Sequence, residues 1–300
     1  MKENKPDRTE IEDKVKNLAK LSTLPNIALK VMDMVENPRT SVSLLANIIS
    51  ADHILTARVL KLANSAYYGF PRQISTLNLA VVVLGFNALR DLVFGISVID
   101  QFSTNNFDKD LDVTQFWRHA LFVGSGAKFL SKFLNYPVSG EVFVAGLLHD
   151  IGYPVMLQYF PSYFERVLSF SLKHNMSFFQ AEKMVLGFDH SELGAWLAHG
   201  WNLPDKIVQA IRFHHSPDKA TDYPDLVKII HVADLLSYTI DEGTGLKQDV
   251  EEKTGDIVVK MEEFFSKNGH SIEFFQDRMK QEAEKVNGFL ESLNYMEVNA

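Results

Sequence analysis

The chain has 300 residues, is 46% hydrophobic with 22 phenylalanines, and carries a net charge of −8 with no block of positive residues. That is enough for one large domain or two modest ones with a full apolar core, and the charge argues against a nucleic-acid surface, which shows a clustered basic face. There are no cysteines, so disulfides and thiolate metal sites are excluded, any metal takes N and O ligands, and a reducing compartment fits. The N-terminus, Met1-Lys-Glu-Asn-Lys-Pro-Asp-Arg8, lacks the apolar stretch of a secretory signal. The longest apolar run, Leu79 to Phe86, is far short of the ~20 residues that span a bilayer. These features predict a soluble cytoplasmic protein.

In chain order, residues 1–8 are polar. A first helix from Thr9 carries Ile11, Val15 and Leu18 at helical spacing and is broken by Leu24-Pro25. Pro25 is suited to open the next, with Ile27, Leu29, Val31, Met32 and Val35, which ends at Asn37-Pro38. Ser41 or Ser43 is positioned to cap a third helix and Asp52 a fourth. Asn64 to Pro71 has the chemistry of a loop. Ser75 or Thr76 starts an apolar helix to about Leu84, Gly85 interrupts it, and Asn87 to Ile99 is helical again. A polar linker over residues 101–112 precedes a long helix from Val113 to about Leu134. The helix of His149 and Asp150 begins near Gly140, and Pro154 predicts its kink or end. Further helices are expected over Phe160 to His174, Ser177 to Leu186, from an Asp189 cap to Gly200, from Pro204 to His214-His215, and from Asp225 to Ile240. The last stretch is richer in charge and contains two amphipathic helices, about 255–267 and 271–293. No β-alternation of useful length occurs, so the fold class is all-α: an N-terminal helical part (1–105), a helical core (106–240) and a C-terminal helical extension (241–300).

The chemistry gathers on the core. His149-Asp150 lies within the apolar run Val144-Ala-Gly-Leu-Leu-His149-Asp150-Ile-Gly152. An ionised Asp there is costly unless paired or bound to a metal. Alone, an adjacent His-Asp pair says little. Four other helices, however, bring His119, His190, His214-His215 and Asp234 to apolar faces. Imidazole and carboxylate without thiolate suit Fe, Mn, Ni or Zn. One Asp can bridge two ions about 3.5–4 Å apart, a pair that polarises a phosphoryl oxygen and lowers the pKa of a bound water. Asp150 is the natural bridge, and if the chain is an enzyme it is the candidate catalytic group. Blander readings stand beside this one. His119 would serve as a satisfied core histidine, and His214-His215 would suit a helix C-terminus. His231, one turn from Asp234, would support that carboxylate from behind. His53, His174, His199 and His270 read as ordinary, the Phe and Met stripes as core, and the acidic C-terminal residues as a solvated face.

Together these residues resemble the HD superfamily of metal-dependent phosphohydrolases, and more closely the HDOD domain of bacterial signalling proteins. The resemblance covers roughly residues 15–240. It is carried by Leu24-Pro25, Leu60-Lys-Leu-Ala-Asn-Ser-Ala-Tyr-Tyr-Gly69, Ile74-Ser-Thr76, Leu84-Gly85, Phe116-Trp-Arg-His119, Ala145-Gly-Leu-Leu-His-Asp-Ile-Gly152, Gly187-Phe-Asp-His190, Trp201-Asn-Leu-Pro204 and His214-His215. The resemblance implies a helical bundle with metal positions at His119, His149, Asp150, His190, His214, His215 and Asp234, holding two divalent transition-metal ions, Fe foremost, with Mn, Ni and Zn as alternatives. Two departures from the related HD-GYP phosphodiesterases matter. Tyr153 stands where those enzymes place a phosphate-binding Lys, and Ser216-Pro-Asp-Lys-Ala220 replaces their Gly-Tyr-Pro loop.

The resemblance implies a regulatory module with a retained metal pair and without cyclic di-GMP hydrolysis. A regulatory protein or a small phosphorylated ligand is the expected partner and a homodimer is compatible; nucleic acid and membrane are not expected. The alternative is a metal-dependent phosphohydrolase acting on an unidentified phosphate ester. A metal-free helical scaffold is the third reading.

Overall fold

The computed structural model describes residues 5–21, 26–65, 68–102, 113–136, 140–240, 243–244, 265 and 271–293. Leu24-Pro25, Ala66-Tyr67, residues 103–112 of the linker and the helix expected over 255–267, Phe265 excepted, lie outside them. Among the described residues every regular element is a helix, as the sequence predicts.

The elements are α1 (Arg8–Leu21), α2 (Asn26–Glu36), α3 (Val42–Ser50), α4 (His53–Ala63), α5 (Leu77–Leu84), α6 (Phe86–Gln101), α7 (Val113–Phe133), α8 (Glu141–Leu148), α9 (Gly152–Tyr159), α10 (Pro161–His174), α11 (Phe178–Val185), α12 (His190–Gly200), α13 (Asp205–Phe213), α14 (Pro224–Thr239) and α15 (Ile272–Ser292). Their starts obey capping chemistry. Ser41, Asp52, Thr76, Ser177 and Asp189 each hold extended backbone and accept a hydrogen bond from the amide three residues on. Pro161 and Pro224 occupy first turns, where the missing N–H goes unmissed.

The chain forms two compact units. One comprises residues 1–22 and 105–282, the other residues 23–104 and 283–300. In the smaller unit α6 is the central helix, buried from Leu89 to Ile99, and α2, α4 and α5 pack on it. In the larger unit α7 is the core helix, with α8 and α14 against it, while α12 packs on α1, α9 and α13. The α7–α8 crossing is backbone on backbone. A Cβ on Gly146 would lie 2.7 Å from the Gly124 Cα and 2.8 Å from its nitrogen. Only glycine permits this approach, and it sets the end of α8 beside the middle of α7.

One boundary differs from the sequence expectation. The chain breaks at His149–Ile151, one turn before Pro154, and Pro154 itself sits in the first turn of α9. The reason lies in what proline does to a helix. It removes the bond to the carbonyl four residues back and its ring crowds that carbonyl, which here belongs to Asp150. The Asp150 carbonyl takes the Tyr153 amide instead, at 3.0 Å. The break thus falls on His149 and Asp150.

No single helix among the described residues is long and apolar enough to cross a membrane. The α5–α6 pair passes that test jointly, but it is bent by 118° and α6 is core.

The Asp52 carboxylate accepts from the Leu55 amide at 2.9 Å. Asp52→Ala should therefore cost about 1 kcal/mol while Asp52→Asn, an equal cap, stays within a few tenths. Urea denaturation followed by far-UV circular dichroism reads the difference as a lower midpoint for the alanine variant alone.

Candidate metal centre

The larger unit brings all seven sequence-predicted residues together. His119 comes from the middle of α7, His149 and Asp150 from the α8–α9 break, His190 from the first turn of α12, His214 and His215 from the end of α13, and Asp234 from the middle of α14. All except half-buried His215 are 0–3% exposed.

Helix termini explain how several of these rings are aimed. The last carbonyls of a helix lack intrahelical partners. His149 follows α8 and its Nδ1 lies 2.7 Å from the Gly146 carbonyl, while His214 follows α13 and its Nδ1 lies 2.7 Å from the Ile211 carbonyl. A carbonyl only accepts, so each Nδ1 carries a proton and Nε2 is the ring nitrogen turned toward the cluster. The C-terminal ends of both helices face the cluster, and such ends favour a cation. His214 does occupy a helix C-cap, as one of the bland readings proposed, yet its Nε2 still points into the cluster. His231 donates from Nδ1 to the His214 carbonyl at 2.7 Å. It therefore braces the end of α13 from the helix that carries Asp234.

Asp150 divides the donors into two sets. Its Oδ2 is 3.2 Å from His149 Nε2 and 3.5 Å from His119 Nε2. Its Oδ1 is 3.2 Å from His190 Nε2 and 3.3 Å from His214 Nε2. On the Oδ2 side, Asp234 Oδ1 is 3.3 Å from His119 Nε2 and 3.6 Å from His149 Nε2. The two imidazole nitrogens there are 3.1 Å apart. On the Oδ1 side His190 and His215 face each other Nε2 to Nε2 at 2.8 Å. In each of two groups, Asp150 with His190, His214 and His215, and His119 with His149 and Asp234, the donor atoms lie within 4.8 Å of one another.

This geometry fits metal ions. Two donors at right angles on one ion, each about 2.1 Å from it, stand roughly 3 Å apart, which is the spacing found. Asp150 Oδ1, Asp234 Oδ1 and His214 Nε2 are buried without hydrogen-bond partners. Buried polar atoms left this way are costly, and a cation in each of the two groups would satisfy them.

The side chains among themselves already show the demand for positive charge. Burial pulls the His119 imidazole down, but contacts with Asp150 and Asp234 outweigh it and raise the group to about 9. The same opposition, with the Asp150 charge foremost, raises His149 to about 10. Burial pushes Asp150 and Asp234 up, yet the surrounding histidines hold both carboxyls below their ordinary range. His214 and His215 are lowered, chiefly by burial, and so are neutral lone-pair donors.

The structure adds Glu182 and Phe179, which the sequence reading passed over, and places Tyr153. Glu182 of α11 is fully buried and its Oε2 is 2.7 Å from His190 Nδ1. Burial pushes this carboxyl up to about 7 against the pull of His190. Its signal in the sequence was faint: a carboxylate on the buried stripe of Phe178, Ala181 and Glu182, in a helix that reads as ordinary amphipathic. Tyr153 stacks on His190 with ring centroids 4.0 Å apart, and Phe179 lies 4.3 Å from His215.

Among the described residues, the fold is all-helical and gathers histidines and aspartates from five parts of the chain, the arrangement of an HD-type domain. The sequence matches the HDOD domain family over residues 21–217, and the chain belongs to that family. It is similar to the crystal structure of an HDOD domain protein of unknown function from Geobacter sulfurreducens, at 25% identity and a TM-score of 0.78, over 93% of this chain and 98% of that one. A Shewanella amazonensis structure named as a candidate phosphohydrolase shares the fold at 24% identity and a TM-score of 0.73, over 93% of this chain and 97% of that one. An uncharacterized protein of Treponema pallidum is 26% identical over 227 residues, 75% of this chain, and the chain spans only 44% of that relative's length.

A Cβ on Gly152 would fall 2.0 Å from the His190 carbonyl oxygen and 2.7 Å from its carbon. Both obstructing atoms are backbone, so α12 must shift. Gly152→Ala should cost about 1–3 kcal/mol, seen in urea denaturation as a lower midpoint with an unchanged slope.

Proposed function

We propose that this chain is a regulatory HDOD module that holds two divalent transition-metal ions bridged by Asp150 and does not hydrolyse cyclic di-GMP. The carrying observation is the division of Asp150, one oxygen toward His119 and His149, the other toward His190 and His214. One ion would take His119, His149, Asp234 and Asp150; the other His190, His214, His215 and Asp150. Fe heads the candidates, with Mn, Ni and Zn also suited to imidazole and carboxylate. Such a pair, when bound, supplies Lewis acidity and an activated water.

The chain's own residues support a signalling role over phosphodiester hydrolysis. Tyr153 occupies the position where HD-GYP enzymes offer a lysine, and it is buried, its ring against His190. It supplies no positive charge for a phosphate. Residues Pro217–Lys219 form a single 3-10 turn where those enzymes carry their Gly-Tyr-Pro loop. The donors are nearly closed to solvent, which suits ions that stabilise an arrangement of helices. A regulatory protein or a small phosphorylated ligand would then act by favouring one such arrangement. The second reading, a metal-dependent phosphohydrolase of another substrate, is favoured by the completeness of the donor set.

Protein purified without chelators and reconstituted with Fe(II) or Mn(II) should hold two ions per chain by elemental analysis. The His149→Ala, Asp150→Ala double variant should hold none. At free metal about a hundred times a site's Kd, each bound ion should raise wild-type stability by about 2.7 kcal/mol. The loaded protein should leave cyclic di-GMP, nucleotides and generic phosphodiesters unhydrolysed. Sustained turnover of one of them that is lost in the double variant would replace the regulatory reading with the enzymatic one.

A further inference from the structure

Glu182 is out of place by every local criterion. It sits on the inner face of α11 beside Phe178, Phe179 and Ala181, all buried. An apolar residue would pack there without the desolvation cost of a carboxylate. Its Oε1 has no hydrogen-bond partner and its Oε2 meets His190 Nδ1 at 2.7 Å. Both side chains are fully buried. A carboxylate in this position makes sense if the ring in front of it carries or binds positive charge.

The contrast with His149 and His214 is informative. Behind His149 and His214 stand neutral backbone carbonyls, Gly146 and Ile211, at 2.7 Å each. Behind His190 stands a carboxylate. A carboxylate accepting the rear N–H of a ligating imidazole fixes the tautomer and ring orientation and makes the front nitrogen a stronger donor, and removing such a partner typically weakens metal binding 10–100-fold. Tyr153 stacked on one face of His190 and Phe179 near its edge leave the ring little freedom to turn.

We infer that Glu182 is a positioning residue that makes the two ions unequal. By accepting the Nδ1 proton of His190 it holds Nε2 on the ion of the His190, His214, His215 set, and that ion binds more tightly than its neighbour. This rests on the two-ion reading above.

Co(II) titrated into chelator-stripped protein, followed by visible absorption and by ion counting at buffered free metal, should bind in two steps. Glu182→Gln keeps an acceptor oxygen but removes the charge. It should weaken the tighter step about 10–100-fold and leave the weaker step unchanged, whereas His119→Ala should abolish the weaker step and spare the tighter one. A folded Glu182→Gln protein with both steps unchanged, or both weakened alike, overturns the assignment of Glu182 alone. Wild-type protein that binds no ion overturns this inference and the two-ion reading together. Should the variant fail to fold, the Zn(II)-loaded wild type decides by NMR. A slowly exchanging His190 Nδ1 proton is expected, and an unprotonated Nδ1 overturns the proposal.

Discussion

A single buried carboxylate organises the larger unit. Asp150 offers one oxygen to each of two groups of imidazoles, and in a nearly solvent-free interior that charge is tolerable only with positive partners on both sides. The local structure exists to deliver this residue. Pro154 breaks the helix at the carbonyl of Asp150, so His149 and Asp150 sit in a turn between two helices. The glycine crossing of α7 and α8 then lets the His119 and His149 rings meet. Two helix C-termini add their unsatisfied carbonyls, one through His149 and one through His214.

Much of this was legible without coordinates. Ser41, Asp52, Thr76 and Asp189 mark helix starts because capping is a local transaction between a side chain and an amide three residues on. The seven clustered residues were visible because polar and charged groups interrupting apolar helices have few innocent explanations. What remained hidden depends on other segments or on direction along the chain. The break at His149–Ile151 was missed because the effect of a proline falls four residues before it. Glu182 was missed because its meaning comes from a ring eight residues away, and helical periodicity assigns it only a face. The bond from His231 to the His214 carbonyl joins α14 to the end of α13 and carries no local mark in the sequence. The grouping of α1 with α12, through a Gly200 that admits Ala19 at close range, is long-range and carries no local mark.

On the proposed reading, the features that suit ions also favour a regulatory role over catalysis. The donors are buried, Tyr153 presents an aromatic face where a phosphate-binding cation would be needed, and α11 contributes Phe179 and Glu182 beside the second set. If ions are bound as proposed, such a cluster would couple their occupancy to the placement of five helices, which would give a regulatory module its physical basis.

The central claim is that Asp150 is shared by two ions. Anomalous diffraction from crystals of the metal-loaded protein, collected at the absorption edge of the bound metal, tests it most directly. Two peaks about 3.5–4 Å apart, one beside each oxygen of Asp150, are predicted. One peak alone, or none within reach of Asp150 in fully loaded protein, would contradict the account.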